Sequence, residues 1–163
     1  MNDANHGLYT REPLIEICAV PRELLGYYWP RVVEWIEEAL QASVMHEMKA
    51  LEVFEGIESG RYLLLVMRRA QSELCACAVL AKSVDPQDRP YLALICCAGD
   101  GVQEWLGLLV DTCKVLGYEF GASEIIVLGR PGWRPLLQPH GLRLRAVVMS
   151  LDIGDGHGQL QPE

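Results

Sequence analysis

The chain has 163 residues, half of them hydrophobic and 22% charged, with a formal net charge of -8, the size and make-up of one domain with a core of its own. Non-specific nucleic-acid binding needs Lys and Arg to neutralise phosphates, so this acidic balance speaks against a nucleic-acid partner; the nearest thing to a basic spot is Arg130, Arg134, Arg143 and Arg145. No apolar run reaches the roughly 20 residues of a membrane helix, and the opening Met1 to Gly7 lacks the basic and apolar parts of a signal peptide, so the expectation is a cytosolic protein without membrane contact.

In chain order, residues 1–10 read as a flexible N-terminal arm and 11–153 as a single domain. Within Arg11 to Val20, Leu14, Ile15, Ile17, Cys18 and Val20 suit an edge strand or a helical turn. Pro21 to Ser43 reads as helical, with Pro30 restarting the helix after Gly26-Tyr27-Tyr28-Trp29. From there Val32, Ile36, Ala39 and Leu40 share one face, while Glu34, Glu37, Glu38 and Gln41 face water. Tyr27, Tyr28 and Trp29 form an aromatic cluster at the join. His46 to Ser59 reads as a second helix, with Met45, Met48, Leu51 and Phe54 repeating near one face and Gly60 as its stop.

Three nearly continuous apolar runs follow: Arg61 to Arg68, Glu73 to Lys82 and Tyr91 to Ala98. The first two read as a hairpin, and the turn-rich Ser83 to Pro90 returns the third antiparallel. Strands apolar throughout imply a sheet covered on both faces. Val102 to Leu116 reads as a helix, with Val102, Trp105, Leu106, Leu109, Cys113 and Leu116 on one face and Gly117 as its end. Glu124 to Leu128 is a strand, Arg130 to Leu137 a turn and short helix halted before Pro139, and Arg143 to Asp152 a last strand. Gly154 to Glu163 has the composition of a flexible tail. The six cysteines, Cys18, Cys75, Cys77, Cys96, Cys97 and Cys113, lie inside apolar runs with no Cys-x-x-Cys pair and no His at ligand spacing. They read as reduced core thiols, and no metal is expected.

That order of elements resembles the GNAT (GCN5-related N-acetyltransferase) fold over roughly residues 11–153. Trp29-Pro30, Trp105, Gly117, Ile126, Gly129-Arg130, Gly132-Trp133 and Gly141 more specifically resemble small GNAT-like proteins of tailed bacteriophages. The resemblance implies an α/β (α+β) architecture: a central mixed, mostly antiparallel sheet of about six strands with helices on both faces. It also implies an acyl-CoA site where the fourth and fifth strands splay apart, with pantetheine laid along a strand and the pyrophosphate on the start of the next helix. The family's Gln/Arg-x-x-Gly-x-Gly/Ala loop aligns with Cys96-Cys97-Ala98-Gly99-Asp100-Gly101. The cofactor-binding candidates for acetyl-CoA are therefore Cys97, Gly99, Asp100, Gly101 and Val102.

Here the sequence departs from the family. Cys96 replaces the amide or guanidinium, Asp100 opposes a pyrophosphate, and no Lys or Arg lies in the window, so a turn with Asp or Gly capping the helix is the reading of Gly99-Asp100-Gly101 preferred over CoA binding. At the position where many members place the Tyr that protonates the departing thiolate stands Leu137; Tyr118 and His140 are the remaining acid candidates. For a base there are only Glu73, Glu52 and Glu55, each also readable as a solvent-facing charge. The expectation is a phage-type GNAT-fold protein with a degenerate acyl-CoA site, weakly or non-catalytic. It would serve as an interaction or virion-associated module in the host cytoplasm, with a homo-oligomer or another phage protein as partner. The alternative is an active acetyl-CoA-dependent N-acetyltransferase on an unknown amine. A third reading, an inhibitor of host defence working through its acidic surface, rests on net charge and phage-like kinship.

Overall fold

The computed structural model describes residues 15–43, 48–70, 73–147 and 149; the proposed arm at 1–10 and tail at 154–163 lie outside them. Five strands form one sheet in sequence order: β1 (Ile15–Ala19), β2 (Tyr62–Arg69), β3 (Leu74–Val84), β4 (Pro90–Gly99) and β5 (Glu124–Val127). β1 to β4 run antiparallel to their neighbours, and β5 joins β4 in parallel. The mixed, mostly antiparallel sheet expected from the sequence is therefore present, with five strands among the described residues. The anticipated strand from Arg143 to Asp152 is not seen: 143–147 carry no strand assignment, and most of the remainder lies outside the described residues. Its apolar half, Val147 to Leu151, supplied the strand signal, whereas the part seen begins Arg143-Leu144-Arg145.

Alternation along the strands divides the core into two layers. Leu64, Val66, Cys77, Val79 and Cys96 face helices α1 (Leu25–Gln41) and α2 (Ala50–Glu58). Leu65, Met67, Ala78, Leu80, Leu92 and Leu94 face α3 (Val102–Glu119) and the short α4 (Arg134–Leu137). Helices thus cover both faces, which is why the strands are apolar throughout instead of alternating.

α1 buries Leu25, Val32, Ile36 and Leu40, a stripe at helical spacing. It runs straight through Pro30, which therefore does not restart a helix. The proline removes one hydrogen bond to the Gly26 carbonyl, and the buried Leu25 and Val32 anchor the helix on both sides of that gap. α2 begins at Ala50, later than expected, with the Lys49 N–H donating to the Glu52 carboxylate at 2.7 Å. Its buried face is Val53, Gly56 and Ile57; of the face expected from the sequence, Met45 lies outside the described residues, Met48 and Phe54 pack partly buried against the core, while Leu51 is 65% exposed. The reason is at Gly56, where a Cβ would lie 2.1 Å from the Tyr62 ring; the glycine lets the helix lie close on β2. α3 continues through Gly117 to Glu119. Gly117 is buried, and a Cβ there would come within 3.8 Å of Ala122. The left-handed Gly121 (φ 69°) closes the helix instead, with the Ala122 N–H donating to the Gly117 carbonyl at 2.8 Å.

Candidate functional site

β4 and β5 pair only from Tyr91↔Glu124 to Leu94↔Val127. Just beyond, β4 carries an extra residue: its register with β3 passes from Leu80↔Leu94 to Val79↔Cys96, leaving Ile95 unmatched. Such a bulge bends a strand and raises its twist. β4 goes on along β3 to Gly99, while β5 ends at Val127. The two strands therefore diverge into a cleft of about 510 Å³, lined by Ile95 to Gly99 on one side and Val127 to Arg130 on the other. Glu38 and Ala39 of α1 and Ala42 just after it, together with Trp105 and Trp133, complete its walls. Beyond Leu94, the β4 edge facing this gap has no strand partner among the described residues. An unpaired edge offers N–H and C=O groups to an extended amide-bearing ligand as a strand would.

The cleft ends at the loop into α3. Gly99 takes φ 141°, and a Cβ there would lie 2.3 Å from the Cys75 carbonyl, so no other residue fits without displacement. The Asp100 N–H donates to the Cys75 carbonyl at 2.7 Å. The Asp100 carbonyl accepts from Trp105 Nε1 at 2.9 Å and from Arg69 Nη2 at 3.4 Å. Gly101, left-handed at φ 70°, starts α3. The first N–H groups of a helix lack intrahelical partners and carry the positive end of its dipole. Here that position holds the chain's own anion. Glu104, in the first turn, receives Arg69 Nη2 at 3.0 Å and Nε at 3.2 Å. A Cβ on Gly101 would sit 2.3 Å from Glu104 Oε1 and 2.6 Å from Arg69 Nη2. The hydrogen bond from Arg69 holds the Glu104 carboxyl below its usual range, and Glu104 in turn raises Arg69. The sequence window has no cation, but β2 delivers one from a distant part of the chain.

The cleft thiols are not nucleophiles at neutral pH. Burial pushes Cys96 and Cys97 up to about 12, and a protonated thiol reacts poorly. All six cysteines are free. Cys96, at the place of the family's amide or guanidinium, is buried in the layer under α1.

Of the candidate binding residues, Cys97, Gly99 and Val102 line the cleft, with Asp100 and Gly101 at its closed end. The acid candidates do not join them. Tyr118 is 89% exposed and lies sixteen residues along α3 from Val102, about 24 Å at 1.5 Å per residue. His140 packs over Gly107 beside α4, in a separate hollow with Gln103 and Pro139. Leu137 is buried in the α3 layer. Among the base candidates, Glu52 caps α2, and Glu55 and Glu73 are exposed and do not line the cleft. The charged side chains that do line it are Glu38 and Arg130. Glu38, expected to face water, is exposed and also lines the cleft. The available signal was its place one residue before Ala39 and four before Ala42, a small-residue stripe at the margin of the buried face of α1.

No family model and no curated protein matches the sequence. Solved structures do match the fold. A mutant of the BH1408 protein from Bacillus halodurans superposes with a TM-score of 0.67 at 12% identity, over 85% of this chain and 99% of that one. An aminoglycoside acetyltransferase from an uncultured soil sample gives 0.63 at 13% identity, over 85% and 98%. Glucosamine-6-phosphate N-acetyltransferase from Arabidopsis thaliana gives 0.59 at 11% identity, also over 85% and 98%. At these identities the likeness establishes architecture alone: the chain has the fold of the GNAT acetyltransferases.

Proposed function

We propose that this domain binds an acyl thioester in the β4–β5 cleft, that its acetyl-CoA chemistry is weak or lost, and that it acts as an interaction module. The observation that carries the reading is the pairing of β4 and β5, which stops at Leu94 and Val127 and leaves a bulged, unpaired β4 edge along the cleft. Acetyl-CoA is the acyl donor usual for this fold. Transfer to an amine forms an N–C bond, breaks the C–S bond, takes a proton from the amine and gives one to the sulfur. Groups within hydrogen-bond reach normally manage those protons. Leu137 offers none, Tyr118 and His140 stand outside the cleft, and Cys96 and Cys97 are held protonated.

The partner is a second copy of the chain or another protein. Among the described residues the sheet ends at β5, and Arg145, ion-paired with Glu124, keeps the following segment beside it. Leu128, Leu144, Val147 and Met149 are all exposed there. A free sheet edge next to apolar surface favours association. The resemblance to tailed-phage proteins makes a phage protein in the host cytoplasm or on the virion the fitting setting.

Ligand bound only to the native state must raise its stability. Acyl thioesters at millimolar concentration are expected to raise the melting temperature; no shift with any of them sinks the binding role. Light scattering is expected to find a species larger than one chain. A monomer that releases thiol rapidly in the presence of amines would overturn the module reading. That outcome would favour the second reading, an active N-acetyltransferase, for which Glu38 in the cleft wall is the specific support. Glu38→Gln would then lower turnover by roughly 10²-fold or more.

A further inference from the structure

Two charged side chains line the β4–β5 cleft, and they come from distant parts of the fold. Glu38 belongs to α1, and Arg130 to the loop that follows β5. The other lining side chains are apolar, thiol or small, with Ser43 the one hydroxyl. Among the described residues, neither the Glu38 carboxylate nor the Arg130 guanidinium takes part in a hydrogen bond or an ion pair, with each other or with a third group. Other arginines on the same sheet do have partners: Arg68 is paired with Glu16, and Arg69 with Glu104. A binding cleft typically combines apolar walls with a few polar groups that set orientation. Here those groups are one anion and one cation, each left without a partner. A guanidinium presents a fork of N–H donors that matches a carboxylate, and a carboxylate accepts from an ammonium group.

We infer that the cleft takes a small zwitterion of the amino-acid class, its ammonium group toward Glu38 and its carboxylate toward Arg130. These two side chains are the specificity-determining residues. A molecule with only one of the two charges gains one pair and leaves the other wall unmatched, so the site discriminates by the difference. The inference goes beyond the thioester reading of the same cleft and does not depend on it.

The test is an NMR titration of the isotope-labelled full chain at low ionic strength, where charge effects are least screened. The probes are ω-amino acids from glycine to aminohexanoate, whose length measures the gap, with butylamine and butyrate as single-charge controls. The indole N–H signals of Trp105 and Trp133, which line the cleft, are expected to move, while those of Trp29 and Trp35, which do not line it, stay. The zwitterion of fitting length should bind about fivefold tighter than either control, the effect of one further exposed ion pair. Glu38→Gln is expected to remove that advantage and leave butyrate unchanged; Arg130→Gln should remove it and leave butylamine unchanged. Controls that bind as tightly as the zwitterions overturn the inference, as does a zwitterion affinity that both variants retain. S-acetyl-pantetheine is titrated in parallel. A cleft response to it with none to any zwitterion overturns this inference alone, and a response to the zwitterion alone upholds it while sinking the thioester reading. Silence at Trp105 and Trp133 with every probe overturns both.

Discussion

The open end of the cleft and its closed end at α3 are built from the same strand but on opposite principles. The open end results from backbone geometry: a bulge at Ile95 and the early end of β5 leave a strand edge unpaired. The closed end results from side chains. Arg69, Asp100, Glu104 and Trp105 occupy groups that a loop before a helix would otherwise turn toward a ligand. Within one fold the shape of a cleft and the side chains around it can vary separately, because shape follows from strand pairing and chemistry from a few positions.

The comparison can be broken most severely at Trp105. It is fully buried, lines the cleft and ties the loop through its bond to the Asp100 carbonyl. Trp105→Ala is expected to cost about 3–5 kcal/mol, read as a lower urea midpoint, and to loosen both ends together. Retained stability would mean that the loop is held by Arg69 and Cys75 alone. Gly99→Ala comes next. Its φ of 141° and the 2.3 Å approach to the Cys75 carbonyl leave no room for a Cβ. A loss of about 1–3 kcal/mol is expected, with the damage confined to the closed end; hydrogen exchange at Asp100 and Gly101 would speed up while that of Leu64 to Met67 would not.

A sharper separation comes from Ala42→Trp, at the cleft rim and exposed just after the end of α1. It should change stability by no more than about 0.5 kcal/mol yet abolish the thermal shift given by thioesters. A persisting shift would place the ligand elsewhere. The smallest effect is the pH response of the closed end. Glu104 is depressed in the folded state by Arg69, so the clamp contributes stability above the ordinary carboxyl value of about 4.3. That contribution is lost as pH falls through the lower folded value. Wild type and Glu104→Gln should therefore melt alike in strong acid, separate as pH rises through the carboxyl range, and differ by a constant small amount above about pH 5. Identical melting throughout would show that the ion pair constrains the loop without stabilising it.

Much of the fold was legible because its signals are local. Continuous apolar runs gave β2, β3 and β4, helical periodicity gave α1 and α3, and the short polar connection after β2 gave the hairpin. The errors came where long-range packing overrode a local signal. Pro30 reads as a break but stays inside α1, held by buried residues on both sides of it. Gly117 reads as a stop but is buried within α3, and the helix closes at Gly121 instead. Leu51 fits the apolar period of α2 but faces water, because the close approach of Gly56 to Tyr62 sets the helix's rotation. In the site, Gly99 and Gly101 could be identified as backbone positions. Arg69 and Glu38 could not, since Arg69 reaches the loop before α3, and Glu38 the cleft, from elements far away in the chain.

The sequence by itself determined the order of elements, the two-sided burial of the sheet and the glycine turn into α3, since each follows from residue type and short-range spacing. Only the tertiary structure decided that β4 and β5 part after Leu94, that Glu38 and Arg130 face the gap, and that Arg69 holds Glu104 over the helix start. Strand divergence depends on register across the sheet, and an ion pair between β2 and α3 depends on how the sheet places its strands against the helices. Both are properties of pairing between distant segments, and no local window of the chain contains them.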